Sequence, residues 1–210
     1  EVDPARGVRG YDPASVRELL AYLRRAKHKL VSLDGLFASL RGEQPPLRDA
    51  VAFTIDDGYA EQAEIASPLF AEFDCPVTTF VTTGFLDRAL WFWWDQIQYI
   101  FGHTTRRTLK LDLGDAMLQY DIGEPAGRSF AEEDFTNRCK AVPEHRKRDA
   151  IGRLSHVAEV DLPREAPAAY APMTWSQLRE AERRGMTFAP HTVTHPILAR
   201  TDDDQCRAEI

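Results

Sequence analysis

Asp56 and Asp57 stand side by side at the end of the apolar run Val51-Ala52-Phe53-Thr54-Ile55, and Gly58 follows them. Two carboxylates delivered to one strand end repel each other, and a bound cation is the simplest means of keeping both ionised. His191 and His195 form a His-x-x-x-His pair just after a second strand-like run, Met186-Thr187-Phe188-Ala189, which ends at Pro190. Two imidazoles at that spacing converge on one ion if the segment turns once. One carboxylate added to them makes a His₂Asp site with an open position, the catalytic rather than the structural kind. The second carboxylate is then free to act as a base. Either motif alone is more often a turn, a helix cap or an ordinary surface or core histidine. Both together, each at the end of an apolar strand, favour the metal site.

The elements that must position these residues follow from the pattern. Asp12-Pro13 is an N-cap with proline at the first helical position, and Val16, Leu19, Leu20 and Leu23 recur at helical spacing to about Lys27. Leu30 to Leu33 is expected as a short strand, Asp34 to Leu40 as a short helix, residues 42–46 as a loop and Val51 to Ile55 as a strand. After Gly58 the spacing is helical again, with a break expected at Ser67-Pro68 and a fresh helix to Phe73. Pro76 to Thr82 is β-branched and makes the next strand, parallel to the first, so the pair forms a right-handed βαβ unit. Thr174 with Gln177 is a capping box for a helix that Gly185 ends. Strand Met186–Ala189 follows, and Thr201 with the acids at 202–204 opens a last helix. In α/β folds, sites gather at the carboxyl ends of strands, where both motifs fall.

Residues 85–170 have the character of an elaboration. Leu90-Trp91-Phe92-Trp93-Trp94 is densely aromatic. Thr108 to Leu113 alternates with period two, Gly114-Asp115 is a turn pair, and Met117 to Ile122 completes a hairpin. Ser129 with Glu132 suggests a capping box for a helix to about Ala141, and residues 143–160 a further helix with Ile151, Leu154 and Val157 inside. The basic run Arg146-Lys147-Arg148 is most simply a solvated helix face. Trp91, Trp93 and Trp94 could stack on sugar rings, but aromatics this dense favour the core.

Composition excludes several classes. The 210 residues are 43% hydrophobic and 28% charged, enough for a real core. A net charge of -7 argues against a nucleic acid or anionic membrane partner. No apolar run is long enough to span a bilayer. The three cysteines are scattered without a CxxC pair, which suggests free thiols rather than a disulfide framework. The first residue is Glu, so an upstream secretion signal is left open, and with it a cytoplasmic or cell-envelope location.

Thr54-Ile55-Asp56-Asp57-Gly58 resembles the Thr-Phe-Asp-Asp-Gly signature of the polysaccharide deacetylases, the NodB-homology domain of carbohydrate esterase family four. His191-Thr192-Val193-Thr194-His195-Pro196 resembles that family's His-Ser/Thr-x-x-His signature. Pro76 to Thr83 and the approach through Met173-Thr174-Trp175 are similar too. The resemblance runs from about residue 10 to 210, apart from the middle. It implies an α/β fold of the distorted (β/α)-barrel kind, with residues 1–210 a partial deacetylase domain and 85–170 an inserted hairpin and helices. It implies that Asp57, His191 and His195 bind a divalent metal, usually zinc in this family. Asp56 is then the general base, Thr192 braces the histidine loop, and the substrate is an N-acetylated carbohydrate.

The family's later arginine, Asp/Trp and Leu-x-His signatures do not follow His195, and His103, His145 and His156 are expected as surface residues rather than stand-ins. The resemblance therefore implies an incomplete barrel at the C-terminus, whose exposed sheet edges pair with another copy or leave the chain unstable alone. Two other readings stand beside the deacetylase: a hydrolase of cyclic amides or imides on the same fold, and a non-catalytic carbohydrate-binding module.

Overall fold

The computed structural model describes residues 12–113 and 116–210. These fall into two compact units, one of residues 12–90 and 168–194, the other of residues 91–167 and 195–210.

In the first unit Asp12 caps α1 (Pro13–Arg25) through the Ala14 N–H, and Leu20 and Leu23 turn inward. β1 (Lys29–Leu30) is shorter than expected, because the Ser32 side chain accepts from Gly35 N–H and opens α2 (Leu33–Leu40) at Leu33. The run expected as one strand, Val51 to Ile55, is two. β2 (Ala50–Val51) pairs in parallel with β1, and the ladder changes partner at Ala52. β3 (Phe53–Asp57) then joins a different sheet and carries both carboxylates inside it rather than after it.

Ser67-Pro68 does not break the following helix. A π-helical turn (Gln62–Ala66) runs directly into α3 (Ser67–Glu72). Proline lacks a donor and its ring presses on the carbonyl four residues back, here within the wider π turn. Arg24 of α1 donates to the carbonyls of Phe73 and Asp74 just beyond α3 and ties the two helices together.

β4 (Val77–Val81) is the middle strand of a parallel sheet in the order β3-β4-β7, where β7 is Met186–Pro190. Four of its five residues are buried, as expected of a strand covered on both faces. α4 (Thr83–Leu86) follows it at once. Before β7 lies a further helix, Trp175–Arg183, whose N-terminus is closed by the reciprocal Thr174–Gln177 capping box, and Gly185 ends the turn after it at φ 96°. Leu20, Phe70, Val77, Val81, Leu86, Met173, Leu178 and Met186 belong to this unit's core.

The second unit holds α5 (Trp93–His103) and a hairpin of β5 (Thr108–Asp112) with β6 (Met117–Asp121), while the expected turn pair 114–115 lies outside the described residues. α6 (Pro125–Lys140) starts a turn before the expected Ser129 cap. Pro125 at the first helical position needs no N–H partner, so the helix begins there. α7 (Glu144–Ala158) buries Ile151 and Leu154, and α8, as Trp175–Arg183 is numbered in chain order, belongs to the first unit. α9 (Asp203–Glu209) is capped by Asp202. Phe101, Leu109, Leu111, Ile122, Phe135 and Leu154 are among the residues of this unit's core.

The basic run is not wholly solvated. Arg146 and Arg148 are exposed, but Lys147 is buried, its ammonium 2.7 Å from Glu144 Oε2 and 4.6 Å above the Trp93 ring. An ion-paired lysine lying over an indole face can be withdrawn from water, and sequence pattern alone does not reveal that partner.

The architecture is mixed α/β. Among the described residues the strands make three separate small sheets and no closed barrel. No described helix is long and apolar enough to cross a membrane.

Candidate metal centre

The sheet register brings the two motifs to one edge. Asp57, the last residue of β3, pairs with Val81, and Val81 pairs with Pro190, the last residue of β7. His191 comes next. Two strand spacings separate the β3 and β7 backbones, roughly 10 Å. The side chains close that gap over the end of β4, and His191 Nε2 stands 3.9 Å from Asp57 Oδ1. His195 lies four residues further along the chain. One ligand atom from each of Asp57, His191 and His195 lies within 4.8 Å of the others.

Two imidazole nitrogens and a carboxylate oxygen are donors suited to zinc or a similar divalent cation. Ligand atoms about 2 Å from a tetrahedral ion stand a little over 3 Å apart, so a bound ion would draw the three atoms closer together. The carboxylate in this group is Asp57 and not Asp56. Strand alternation gives Asp56 to the exposed face of β3 and Asp57 to the half-buried one.

The histidine loop is held through its own backbone. His191 N–H donates to the Val81 carbonyl at 2.8 Å. Three successive loop carbonyls are then taken by three successive residues of the β4–α4 junction. The Thr82 hydroxyl donates to His191 O at 3.0 Å, Thr83 N–H to Thr192 O at 3.2 Å and Gly84 N–H to Val193 O at 2.9 Å. The first N–H groups of a helix have no partner within it, and those of α4 are used on this loop.

Several backbones here lie in the left-handed region. Asp57 has φ 86°, Thr192 φ 65° and His195 φ 57°, with Gly58 at φ 98°. Such conformations in non-glycine residues cost on the order of 1–3 kcal/mol each and persist only where the surroundings impose them. Gly58 is required as well by space, since a Cβ there would meet Leu86 Cδ1 at 2.7 Å.

Sequence reasoning missed Gln62. Its side-chain amide accepts from Gly58 N–H at 3.1 Å and donates to the Asp56 carbonyl at 2.6 Å, bracketing Asp57. A polar residue four positions after Gly58 is the only signal, and it is an ordinary helix-surface choice.

The aromatic run is divided. Trp91 and Phe92 are buried, whereas Trp93 and Trp94 are half-buried. Phe92 and Trp94 stack at 4.4 Å, and the His195 ring stands edge-on to both, 5.5 Å and 4.9 Å away. Such contacts restrict the imidazole's rotation. His103, His145 and His156 are exposed, as expected.

The fold is polysaccharide deacetylase-like. The chain resembles the Streptococcus pyogenes deacetylase PplD, solved in complex with acetate, with a TM-score of 0.55 and 16% identity, over 100% of this chain and 59% of that one. Two other deacetylases overlap less. They are the BpsB deacetylase domain from Bordetella bronchiseptica (TM-score 0.43, 20% identity, 86% of this chain and 43% of that one) and a de-N-acetylase from Aggregatibacter actinomycetemcomitans (0.44, 16%, 88% and 47%). The sequence matches no protein-family model and no curated protein.

Proposed function

We propose that this protein is a metal-dependent hydrolase that removes acetyl groups from N-acetylated carbohydrate. One observation carries the reading: the Asp57, His191 and His195 ligand atoms lie within 4.8 Å of one another at the carboxyl edge of a parallel sheet in a deacetylase-like fold.

Asp57, His191 and His195 hold the divalent cation, which the resemblance gives as zinc. When bound, it supplies Lewis acidity that polarises an amide carbonyl and makes water a stronger acid. Asp56, exposed beside Asp57, takes the proton from the attacking water as general base. Thr192 holds the loop that spaces the two histidines, its carbonyl anchored by Thr83 N–H. The chain spans 59% of the length of the PplD chain.

In the same reading the parallel sheet belongs to a distorted (β/α) barrel, and residues 85–170 are an elaboration within residues 1–210 of a deacetylase domain. The compactness of residues 91–167 supports that boundary. β3 and β7 are the outer strands of their sheet, and we propose that a second copy pairs with an outer edge, which light scattering tests against a monomer.

The deciding experiment is zinc uptake followed by elemental analysis. Asp57→Ala, His191→Ala and His195→Ala are expected to abolish uptake. Unchanged zinc in all three overturns the assignment. Acetate release from acetylated chito-oligomers, set against hydrolysis of cyclic imides, tests the substrate class.

A further inference from the structure

We propose that Gln62 is a positioning residue for the carboxylate ligand, an inference that rests on Asp57 being one. Its amide spans the Asp56-Asp57-Gly58 turn. Nε2 donates to the Asp56 carbonyl at 2.6 Å and Oε1 accepts from Gly58 N–H at 3.1 Å. The amide's orientation is forced, because a carbonyl can only accept and a backbone N–H can only donate. No other uncharged side chain of this length carries both functions.

The clasp acts on the residue between its two anchors. Asp57 at φ 86° and Gly58 at φ 98° are consecutive left-handed residues, a conformation an aspartate rarely takes unaided. The turn is also held from its far side. Met173 N–H donates to Gly58 O at 2.9 Å and Ala60 N–H to Ala171 O at 2.9 Å, but neither bond touches the Asp56 carbonyl or the Gly58 N–H. Gln62 closes those two groups with its side chain, and its own backbone N–H donates to Tyr59 O at 3.0 Å, which fixes its origin.

Gln62 is also the first residue of the π-helical turn Gln62–Ala66. A π turn rotates and shifts the residues at its start relative to an α-helix, which is a common device for aiming one side chain. Here the side chain so placed is the one that reaches back to the strand end. Outer partners that orient a ligand typically contribute 10–100-fold to metal affinity.

Cobalt(II) alone is the probe, bound to the full chain and followed by its visible absorption bands and by equilibrium dialysis, with Asp57→Ala as control. Gln62→Ala is expected to bind cobalt(II) at least about tenfold more weakly, with shifted bands, while far-ultraviolet circular dichroism stays that of the parent. Gln62→Glu, which keeps the acceptor for Gly58 and loses the donor for Asp56, is expected to shift the bands as well and serves if the alanine variant does not fold. A residue that only stabilised the helix would lower the melting temperature and leave the bands alone. Parental affinity and bands in either folded variant, with Asp57→Ala unable to bind, overturn the inference about Gln62 and leave the metal reading standing. Equal binding by the parent and Asp57→Ala overturns the metal reading, and this inference falls with it.

Discussion

Gly84 donates its backbone N–H to the Val193 carbonyl at 2.9 Å, and a Cβ placed on Gly84 would stand 2.6 Å from that same oxygen. The start of α4 and the histidine loop are therefore in backbone contact that no side chain fits between. Gly84→Ala is expected to push the loop away from Thr82, Thr83 and residue 84. The overpacking costs about 1–3 kcal/mol, measurable by urea unfolding. Zinc affinity should fall with it in dialysis, since the displaced segment carries His191. Parental stability and affinity would show that the contact relaxes without moving the loop.

The proposed division of labour between the two aspartates has a direct consequence. Asp56→Asn is expected to keep its zinc and to lose about 10²–10⁴-fold in turnover, because a general base is removed and a ligand is not. Loss of zinc from that variant, by elemental analysis, would place Asp56 among the ligands instead.

Lys147 depends on Glu144. The ammonium is buried, while the carboxylate is one-third exposed, so the pair is cheaper than a fully buried one. Glu144→Gln is expected to lower unfolding free energy by about 1–3 kcal/mol, by weakening a hydrogen bond to a charged group. Lys147→Met, close in volume and without a charge to bury, should cost less. Thermal melts of the two variants give the order, and equal losses would mean that the stem's packing, not the charge pair, sets stability there.

The thiols should divide by burial. Desolvation pushes the Cys139 thiol up to about 12 and the Cys75 thiol up to about 11, while Cys206 is only partly covered. A raised thiol pKa keeps the group protonated, so at pH 8 neither buried thiol supplies thiolate, and the thiolate is the nucleophile. Titration of the native protein with a disulfide reagent is expected to find one fast thiol, and three after unfolding. Fast reaction of all three in the native state would mean that the cores around Cys75 and Cys139 open readily.

Local signals were legible where one short stretch of chain contains both partners. The Thr174–Gln177 capping box, the Asp12 cap followed by Pro13 and the period-two hairpin of β5 and β6 all form where residue order alone indicates. The types and spacing of Asp56, Asp57, His191 and His195 likewise suffice to suggest a cation. Failures came where distant segments compete. Nothing in Val51–Ile55 shows that its first residue pairs with Leu30 and that the strand from Phe53 joins Val77 to Val81. Ser129 looks like a cap, yet a helix already begun at Pro125 leaves no terminus there to cap.

By itself, then, the sequence determined the inventory: which strands end in carboxylates, which in imidazoles, and which turns close locally, because those depend on neighbours a few residues away. Tertiary structure decided what those groups do together. The β3-β4-β7 register sets Asp57 and His191 at one edge, the α4 N-terminus supplies donors to the loop, and Gln62 reaches back across the Asp57 turn. Each of these is a contact whose partner is chosen by the folded surroundings rather than by residue type, and that choice is made only when the sheet and its helices come together.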